Sequence, residues 1–185
     1  MIFVGSGALL WRAVEHARSV GCSVELVVHP IGEFVPAWAG ELRCEATTDV
    51  NELADLFATV STDHQVVWST GNPFIFRKPI LDLELTILNI HGGPLPDYRG
   101  LPMAGAVYAI LNGENSFGVT IHRVDAGIDT GSIVDQMLFD VADDVTLEEL
   151  ALTVSQTCHD LFVSTLDSVV ANGQVHSRTD QVSTS

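Results

Sequence analysis

The stretch IFVGSGALLWRAVEHARSVGCSVELVV, residues 2–28, decides the fold of this chain. It begins with a short apolar run, turns at Gly5-Ser6-Gly7, and continues with apolar residues at helical spacing until Gly21. A second run rich in β-branched residues then covers positions 24–28. Such a strand–helix–strand order predicts a right-handed βαβ unit whose two strands run parallel.

The same alternation continues along the chain. Further strands are expected over residues 42–46, 65–68 and 85–90, with a loop at 30–40 and a helix that begins after Asp49. A helix over 103–111 precedes two strands, 118–124 and 133–141, which are expected to pair as a hairpin. The capping box of Thr146 and Glu149 starts a long last helix that ends at Gly173. This pattern predicts an α/β fold with a largely parallel twisted sheet, helices on both faces and a C-terminal hairpin plus long helix.

Length and composition indicate one folded domain. The chain has 185 residues, of which 46% are hydrophobic, so it carries enough apolar surface for its own core. The core is expected over residues 1–173, and residues 174–185 are expected to form a polar, disordered tail. No apolar stretch approaches membrane-spanning length, and Met1 leads into an apolar run without a basic leader, which predicts a cytoplasmic protein.

Net charge limits the partners of this chain. Its 24 acidic residues outnumber 8 Lys plus Arg, and the formal net charge is -16 at pH 7. Such a surface repels phosphate backbones and anionic lipids, so neither nucleic acid nor membrane is an expected partner. Three widely spaced cysteines are expected to be reduced thiols, as in the cytosol.

Three residues carry the clearest chemistry. Asn89 and His91 lie two apart at the end of an apolar run, so on a strand both side chains point to the same face. Ligands of parallel sheets bind beyond the carboxyl ends of the strands, where these two residues are expected. Asp129 follows in the glycine-flanked segment 125–131. An amide, an imidazole and a carboxylate are the groups that acyl transfer to an amine requires.

Five segments in this order resemble the folate-dependent formyltransferase family, which includes methionyl-tRNA, glycinamide ribonucleotide and sugar N-formyltransferases. They are Asn-Ile-His at 89–91, Pro-Leu-Pro-Asp-Tyr-Arg-Gly at 94–100, Asn-Gly-Glu at 112–114, Gly-Val-Thr-Ile-His at 118–122 and Asp-Ala-Gly-Ile-Asp-Thr-Gly at 125–131. The resemblance implies a Rossmann-like fold and catalysis by Asn89, His91 and Asp129.

The resemblance also implies 10-formyltetrahydrofolate as the formyl donor, without a metal. Asn89 and a donating His91 would stabilise a tetrahedral oxyanion, while Asp129 would hold the His91 tautomer and orient the proton relay. The segment before the Asn-x-His strand and the Asp129 loop would line the folate pocket. Its expected residues are Ser69, Gly71, Phe74, Ile75, Phe76, Asp125 and Gly127.

Departures from the family pattern narrow the acceptor. Gly93-Pro94 stands where the family commonly has Ser-Leu, and Ala8-Leu9-Leu10 stands where relatives that act on sugar phosphates have polar residues. A tRNA acceptor is disfavoured by the charge. The chain is closest in character to formylation domains of nonribosomal peptide synthetases. We therefore expect a small-molecule amine or a carrier-bound aminoacyl acceptor, and possible fused or partner synthetase domains.

Other interpretations stay open. A formyltetrahydrofolate hydrolase would share the same three residues with water as nucleophile, and a binding module without activity would use none of them. A nicotinamide-binding oxidoreductase would rest on Gly5, Gly7 and Glu25, but the third glycine of that fingerprint is missing.

Two further residues are given structural interpretations. Asp125 is expected to form the turn of its own loop, and His122 is expected to be a partly buried residue of its strand.

Overall fold

The computed structural model describes residues 1–60, 66–83 and 85–172, and this part of the chain forms one seven-stranded sheet. The strands are β1 (Ile2–Gly5), β2 (Leu26–Pro30), β3 (Cys44–Thr47), β4 (Val66–Thr70), β5 (Thr86–His91), β6 (Ser116–Arg123) and β7 (Ile133–Asp140). Their order across the sheet is β3-β2-β1-β4-β5-β6-β7. The first five strands pair in parallel, and β6 and β7 join antiparallel. The predicted α/β fold is confirmed.

Helices cover both faces of the sheet. They are α1 (Gly7–Ser19), α2 (Ala54–Val60), α3 (Lys78–Leu81), α4 (Pro102–Asn112) and α5 (Leu147–Asn172). The core on one face packs α1 and α5 against the sheet around Trp68 and Phe162, whose rings meet edge to face at 4.9 Å. The core on the other face packs α2 and α3 around Phe57 and Ile80. None of the helices in the described residues is long and apolar enough to cross a membrane.

Several predicted boundaries need correction. The second strand begins at Leu26, because residues 24 and 25 precede its first pairing with β1. The expected loop over 30–40 contains a 3₁₀ helix, Ala37–Glu41, and the helix after Asp49 begins with a 3₁₀ turn, Val50–Leu53. Helix α3 was not predicted, because one turn is too short to show a helical period.

The predicted N-cap at Asp49 and the predicted capping box of Thr146 and Glu149 are both confirmed. The Asp49 carboxylate accepts the backbone N–H of Asn51 at 3.0 Å, as an N-cap does. Thr146 and Glu149 exchange side-chain and backbone hydrogen bonds before α5, which confirms the capping box. Gln65, Gly173 and the predicted tail lie outside the described residues.

Strand β5 places the chemistry-bearing residues at the point where the sheet changes from parallel to antiparallel pairing. Asn89 lies opposite Ser69 of β4 on one side and opposite His122 of β6 on the other. The loop between β6 and β7 carries Asp129 back towards the same edge. Three sequence-distant segments therefore meet at the end of β5.

Candidate functional site

A cavity of about 580 Å³ opens at this edge of the sheet. It is lined by all ten residues predicted for the site: Ser69, Gly71, Phe74, Ile75, Phe76, Asn89, His91, Asp125, Gly127 and Asp129. Its volume falls in the range of about 300 to 1,000 Å³ that is typical of small-molecule sites. The predicted set therefore forms one site rather than a scatter of positions.

His91 is buried, with 3% of its side chain exposed, and both ring nitrogens have a neighbour. Nε2 lies 2.6 Å from the backbone oxygen of Tyr98, and because a carbonyl only accepts, Nε2 carries the hydrogen. Nδ1 lies 3.5 Å from Oδ2 of Asp129. The Tyr98 carbonyl therefore fixes the tautomer, where the sequence had suggested Asp129. Nδ1, which faces Asp129, is the ring nitrogen without a hydrogen.

The close approach of Tyr98 to His91 depends on a glycine. A Cβ atom on Gly93 would lie 2.9 Å from the Tyr98 oxygen and 3.0 Å from His91 Nε2. The glycine that stands in the turn after β5 thus leaves room for the backbone carbonyl that orients the imidazole.

Burial lowers the pKa of His91, and the Asp129 carboxylate opposes this shift without overcoming it. His91 is therefore neutral at pH 7, and its contact with Asp129 joins a carboxylate to a neutral imidazole rather than two charges. Burial alone would raise the pKa of Asp129, but the nearby His122 ring, the Gly100 N–H and the nearby His91 hold it below its usual value. Asp129 is ionised, and the Gly100 N–H donates to its Oδ2 at 2.8 Å.

Asn89 is held from both sides along a row of side chains that crosses three strands. The Ser69 hydroxyl donates to Asn89 Oδ1 at 2.7 Å, and Asn89 Nδ2 lies 3.1 Å from His122 Nε2. His122 Nδ1 lies 2.9 Å from the Arg123 carbonyl oxygen and donates to it, while Nε2 faces the Asn89 amide and accepts from Nδ2. One Nδ2 hydrogen of Asn89 remains for a ligand in the cavity.

His122 is a site residue that the sequence interpretation missed. It is buried in β6 as expected, but its Nε2 also lies 3.4 Å from Asp129 Oδ1, and its side chain lines the cavity. The antiparallel pairing of β5 with β6 brings it there, since His122 is the direct partner of Asn89. The pairing register of β5 and β6 is the information that would have identified His122 as a site residue.

The other predicted residues divide by what they contact. Asp125 forms the turn of its loop, accepting from the Gly127 N–H at 2.9 Å and the Thr130 hydroxyl at 2.6 Å. Phe76 belongs mainly to the core beneath the cavity, whereas Ile75 is 55% exposed at the cavity wall.

The glycine-rich turn after β1 does not support a nicotinamide site. A Cβ atom on Gly5 would lie 1.8 Å from the backbone oxygen of Thr70, so this glycine allows close contact between strands. Glu25 lies before the first residue of β2, at the opposite end of the strand from the edge where a ribose would bind. The carboxylate of Glu33 instead accepts the first N–H of α1, from Gly7, at 3.1 Å.

The fold and site together define an α/β protein with a cavity of small-molecule size at the carboxyl edge of its sheet, lined there by an amide, an imidazole and a carboxylate. Residues 34–166 match the formyl transferase family, and the chain belongs to this family. It is a member of the folate-dependent formyltransferase superfamily, as the resemblance implied.

Three relatives illustrate this placement. The methionyl-tRNA formyltransferase of Rickettsia rickettsii is 30% identical over 156 residues, which cover 84% of this chain and 50% of the relative. Phosphoribosylglycinamide formyltransferase from Bacillus halodurans has a TM-score of 0.77 at 24% identity, covering 96% of this chain and 98% of that chain.

The third is an N-formyltransferase from Helicobacter canadensis, solved in complex with folinic acid and dTDP-3-aminofucose. It has a TM-score of 0.74 at 21% identity and covers 99% of this chain and 68% of its own. The two solved structures show the shared fold. The chain spans about half the length of the curated relatives it matches.

Proposed function

We propose that this chain transfers the formyl group of 10-formyltetrahydrofolate to the amino group of a small molecule or a carrier-tethered aminoacyl group. The observation that carries the proposal is the meeting of Asn89, His91 and Asp129 at one cavity, although Asp129 is 38 or more positions further along the chain. An amide donor, a neutral imidazole and an ionised carboxylate are complementary to acyl transfer, in which charge and protons move together.

The cavity has the character that a folate donor needs. Phe74, Ile75 and Ile128 offer apolar surface to a flat ring system, and the backbone of residues 125–129 offers polar groups around it. The donor supplies an activated formyl group. Asn89 and His91, at the carboxyl end of β5, would act on the carbonyl of that formyl group.

Asn89 would bind the oxygen of the formyl group. Its remaining Nδ2 hydrogen is free for the carbonyl oxygen, on which negative charge grows as the amine attacks. A preorganised donor at such an oxygen typically contributes about 3 to 4 kcal/mol, equivalent to roughly a hundredfold or more in rate.

His91 would accept the proton that the attacking nitrogen must lose. Its Nε2 hydrogen is used by Tyr98, so neutral His91 has no hydrogen for the oxyanion, and the expectation of a donating His91 is revised. Nδ1 takes the proton, and Asp129 stabilises the imidazolium that results. The new C–N bond to the acceptor forms, the bond to the folate nitrogen breaks, and the same proton passes to that leaving nitrogen.

The acceptor is proposed to lack a phosphate group. Among the residues that the structure describes, neither Lys nor Arg lines the cavity. The Glu33 carboxylate lies on the Gly7 N–H at the start of α1, where a helix N-terminus would otherwise attract an anion. These features, together with the net charge of -16, favour a neutral or cationic amine over a sugar phosphate or tRNA.

The proposal is tested by incubating the chain with 10-formyltetrahydrofolate and a panel of amines, including carrier-tethered aminoacyl groups. Mass spectrometry should detect a gain of one formyl unit on at least one acceptor. Asn89→Ala, His91→Ala and Asp129→Asn should each fold and transfer roughly a hundredfold or more slowly. His16→Ala, in α1 and outside the cavity lining, is the matched control for loss of an imidazole.

Two outcomes would contradict the proposal. Near wild-type turnover by His91→Ala would remove this residue from the chemistry. Formate release at full rate without an added amine, with no formylated product from any acceptor, would favour a hydrolase instead.

A further inference from the structure

Ser69 and Asn72 both line the cavity, and hydrogen bonds connect them to Asn89, because Ser69 contacts Asn89 and Asn72 contacts Ser69. Ser69 on β4 is 1% exposed, and Asn72 follows it in the turn after that strand. Ser69 was predicted as a pocket residue and lines the cavity, and its hydroxyl is hydrogen-bonded to Asn89 and Asn72. In each of these hydrogen bonds, the donor and the acceptor can be identified.

The backbone N–H of Phe74 determines the orientation of the Asn72 side-chain amide. Phe74 N–H can only donate, so the Asn72 atom 2.8 Å from it is the oxygen Oδ1. The other end of this amide, Nδ2, therefore faces Ser69 and donates to its Oγ at 3.0 Å. Ser69 accepts that hydrogen and directs its own to Asn89 Oδ1 at 2.7 Å.

The opposite side of Asn89 requires the same orientation. His122 Nδ1 donates to the Arg123 carbonyl, and its Nε2 lies 3.1 Å from Asn89 Nδ2 and accepts from it. An Asn89 amide turned by 180° would place an oxygen against a lone pair at His122 and an N–H against the Ser69 hydrogen. Both neighbours therefore select one of the two amide orientations.

We infer that Asn72 and Ser69 are positioning residues that fix the Asn89 carboxamide with an N–H towards the substrate oxygen. This inference rests on the proposed function, since it gives Asn89 the role of oxyanion donor. Asn72 acts through Ser69, and Ser69 acts through Asn89. Neither residue touches the reacting atoms.

The inference is tested by replacing the donor at each step of the relay. Ser69→Ala removes the hydroxyl, and Asn72→Asp keeps the shape and the bond from Phe74 N–H but has no hydrogen for Ser69. Each should lower kcat about tenfold while KM for both substrates stays within about twofold, because binding groups remain in place. Thr70→Val is the matched control: it removes the buried hydroxyl of the next β4 residue, which has no hydrogen-bond partner among the described residues.

A double-mutant cycle separates the relay from a direct charge effect of the new carboxylate. On the Ser69→Ala background, Asn72→Asp should cause no further loss if it acts only through Ser69. An undiminished tenfold loss there would overturn the relay. The side-chain amide of Asn89 gives a second measurement, since its NMR resonances should broaden or shift in both single variants and stay unchanged in Thr70→Val.

Asn89→Ala in the same assay distinguishes the two levels of the argument. Near wild-type activity of Asn89→Ala would remove its catalytic role, and the relay would fall with it. A slow Asn89→Ala together with Ser69→Ala and Asn72→Asp at wild-type kcat would overturn the relay alone. If the Ser69→Ala protein does not fold, Asn72→Asp, in the partly exposed turn after β4, decides the question.

Discussion

Asp129 combines an unusual backbone with three polar neighbours. It is the one non-glycine residue in the described ranges with a positive φ, 51°, and such a conformation costs on the order of 1 kcal/mol. Gly127 and Gly131 flank it, and a Cβ atom on Gly131 would lie 1.8 Å from the Arg123 oxygen. The loop tolerates this strain because the carboxylate is bound by the Gly100 N–H and lies between His91 and His122.

Asp129 opposes the effect of burial on His91, which gives a signed pH prediction. In Asp129→Asn the attraction that raises the pKa of His91 is lost, so burial lowers that pKa further. The neutral form of His91 then persists to lower pH. We expect the acid limb of the pH profile of kcat/KM to move to lower pH while the maximum rate falls, and NMR titration of the His91 ring should show the same direction.

Asp143→Asn provides the control for this measurement, because it removes one carboxylate outside the cavity lining. It should leave the His91 titration where it is in the wild type. An acid limb that stays in place or moves to higher pH in Asp129→Asn would show that His91 is not the group whose protonation limits the rate.

At this scale the sequence predicted part of the site and missed the rest for a physical reason. Asn89 and His91 were predicted from a spacing of two on a strand, and the family resemblance implied Asp129 in its glycine-flanked segment. The structure brings these three side chains to one cavity. His122, Asn72 and the Tyr98 carbonyl became visible only with the strand register and the loop path, which local spacing does not determine.

Among the elements, α5 depends most on its first turn. This helix of 26 residues packs Leu150, Phe162 and Leu166 into the cores below it. Its first N–H groups lack helical partners, and the Thr146 hydroxyl accepts the Glu149 N–H at 3.2 Å while Glu149 accepts the Thr146 N–H at 2.9 Å. The capping box thereby anchors the start of the helix.

Removal of this cap gives a stability prediction. Thr146→Ala should lower the free energy of unfolding by about 1 kcal/mol, the typical loss for an N-cap, and Tm by roughly 2 to 4 °C. Calorimetry or thermal circular dichroism measures the change. Glu148→Ala, in the same turn but outside the capping box, should shift Tm by less than half as much, and an equal shift would contradict the cap.

The elements show where sequence patterns carry information about structure and where they do not. Long periodic segments such as α1 and α5 and the hairpin of β6 and β7 were predicted with small boundary errors. Helix α3 and the 3₁₀ segments escaped, because four or five residues do not complete enough turns for an apolar period.

On the scale of the whole molecule, the site depends on strand pairings that the βαβ pattern alone does not predict. The alternation of strands and helices predicts parallel pairing, but only the folded chain shows β4 between β1 and β5 and β6 reversed against β5. Because β6 is reversed, its last residue Arg123 pairs with Leu88, towards the amino end of β5. The β6–β7 loop then turns back along the sheet and places Asp129 beside His91 and His122. Asp129 can therefore approach His91 from the opposite side to Ser69 and the turn after β4.

The net charge of -16 attracts or repels a charged partner before any side chain of the protein contacts it. The curated relatives are named methionyl-tRNA formyltransferases. We nevertheless expect the acidic surface of this chain to repel tRNA phosphates that come within the Debye length, about 10 Å in 0.1 M salt. We expect no saturable tRNA binding by fluorescence anisotropy at micromolar protein. We also expect that added tRNA leaves the formylation rate of a small amine unchanged. Saturable binding that weakens with salt, with a slope of about -0.9 in log K against log salt per phosphate contacted, would instead identify a nucleic-acid surface that the charge conceals.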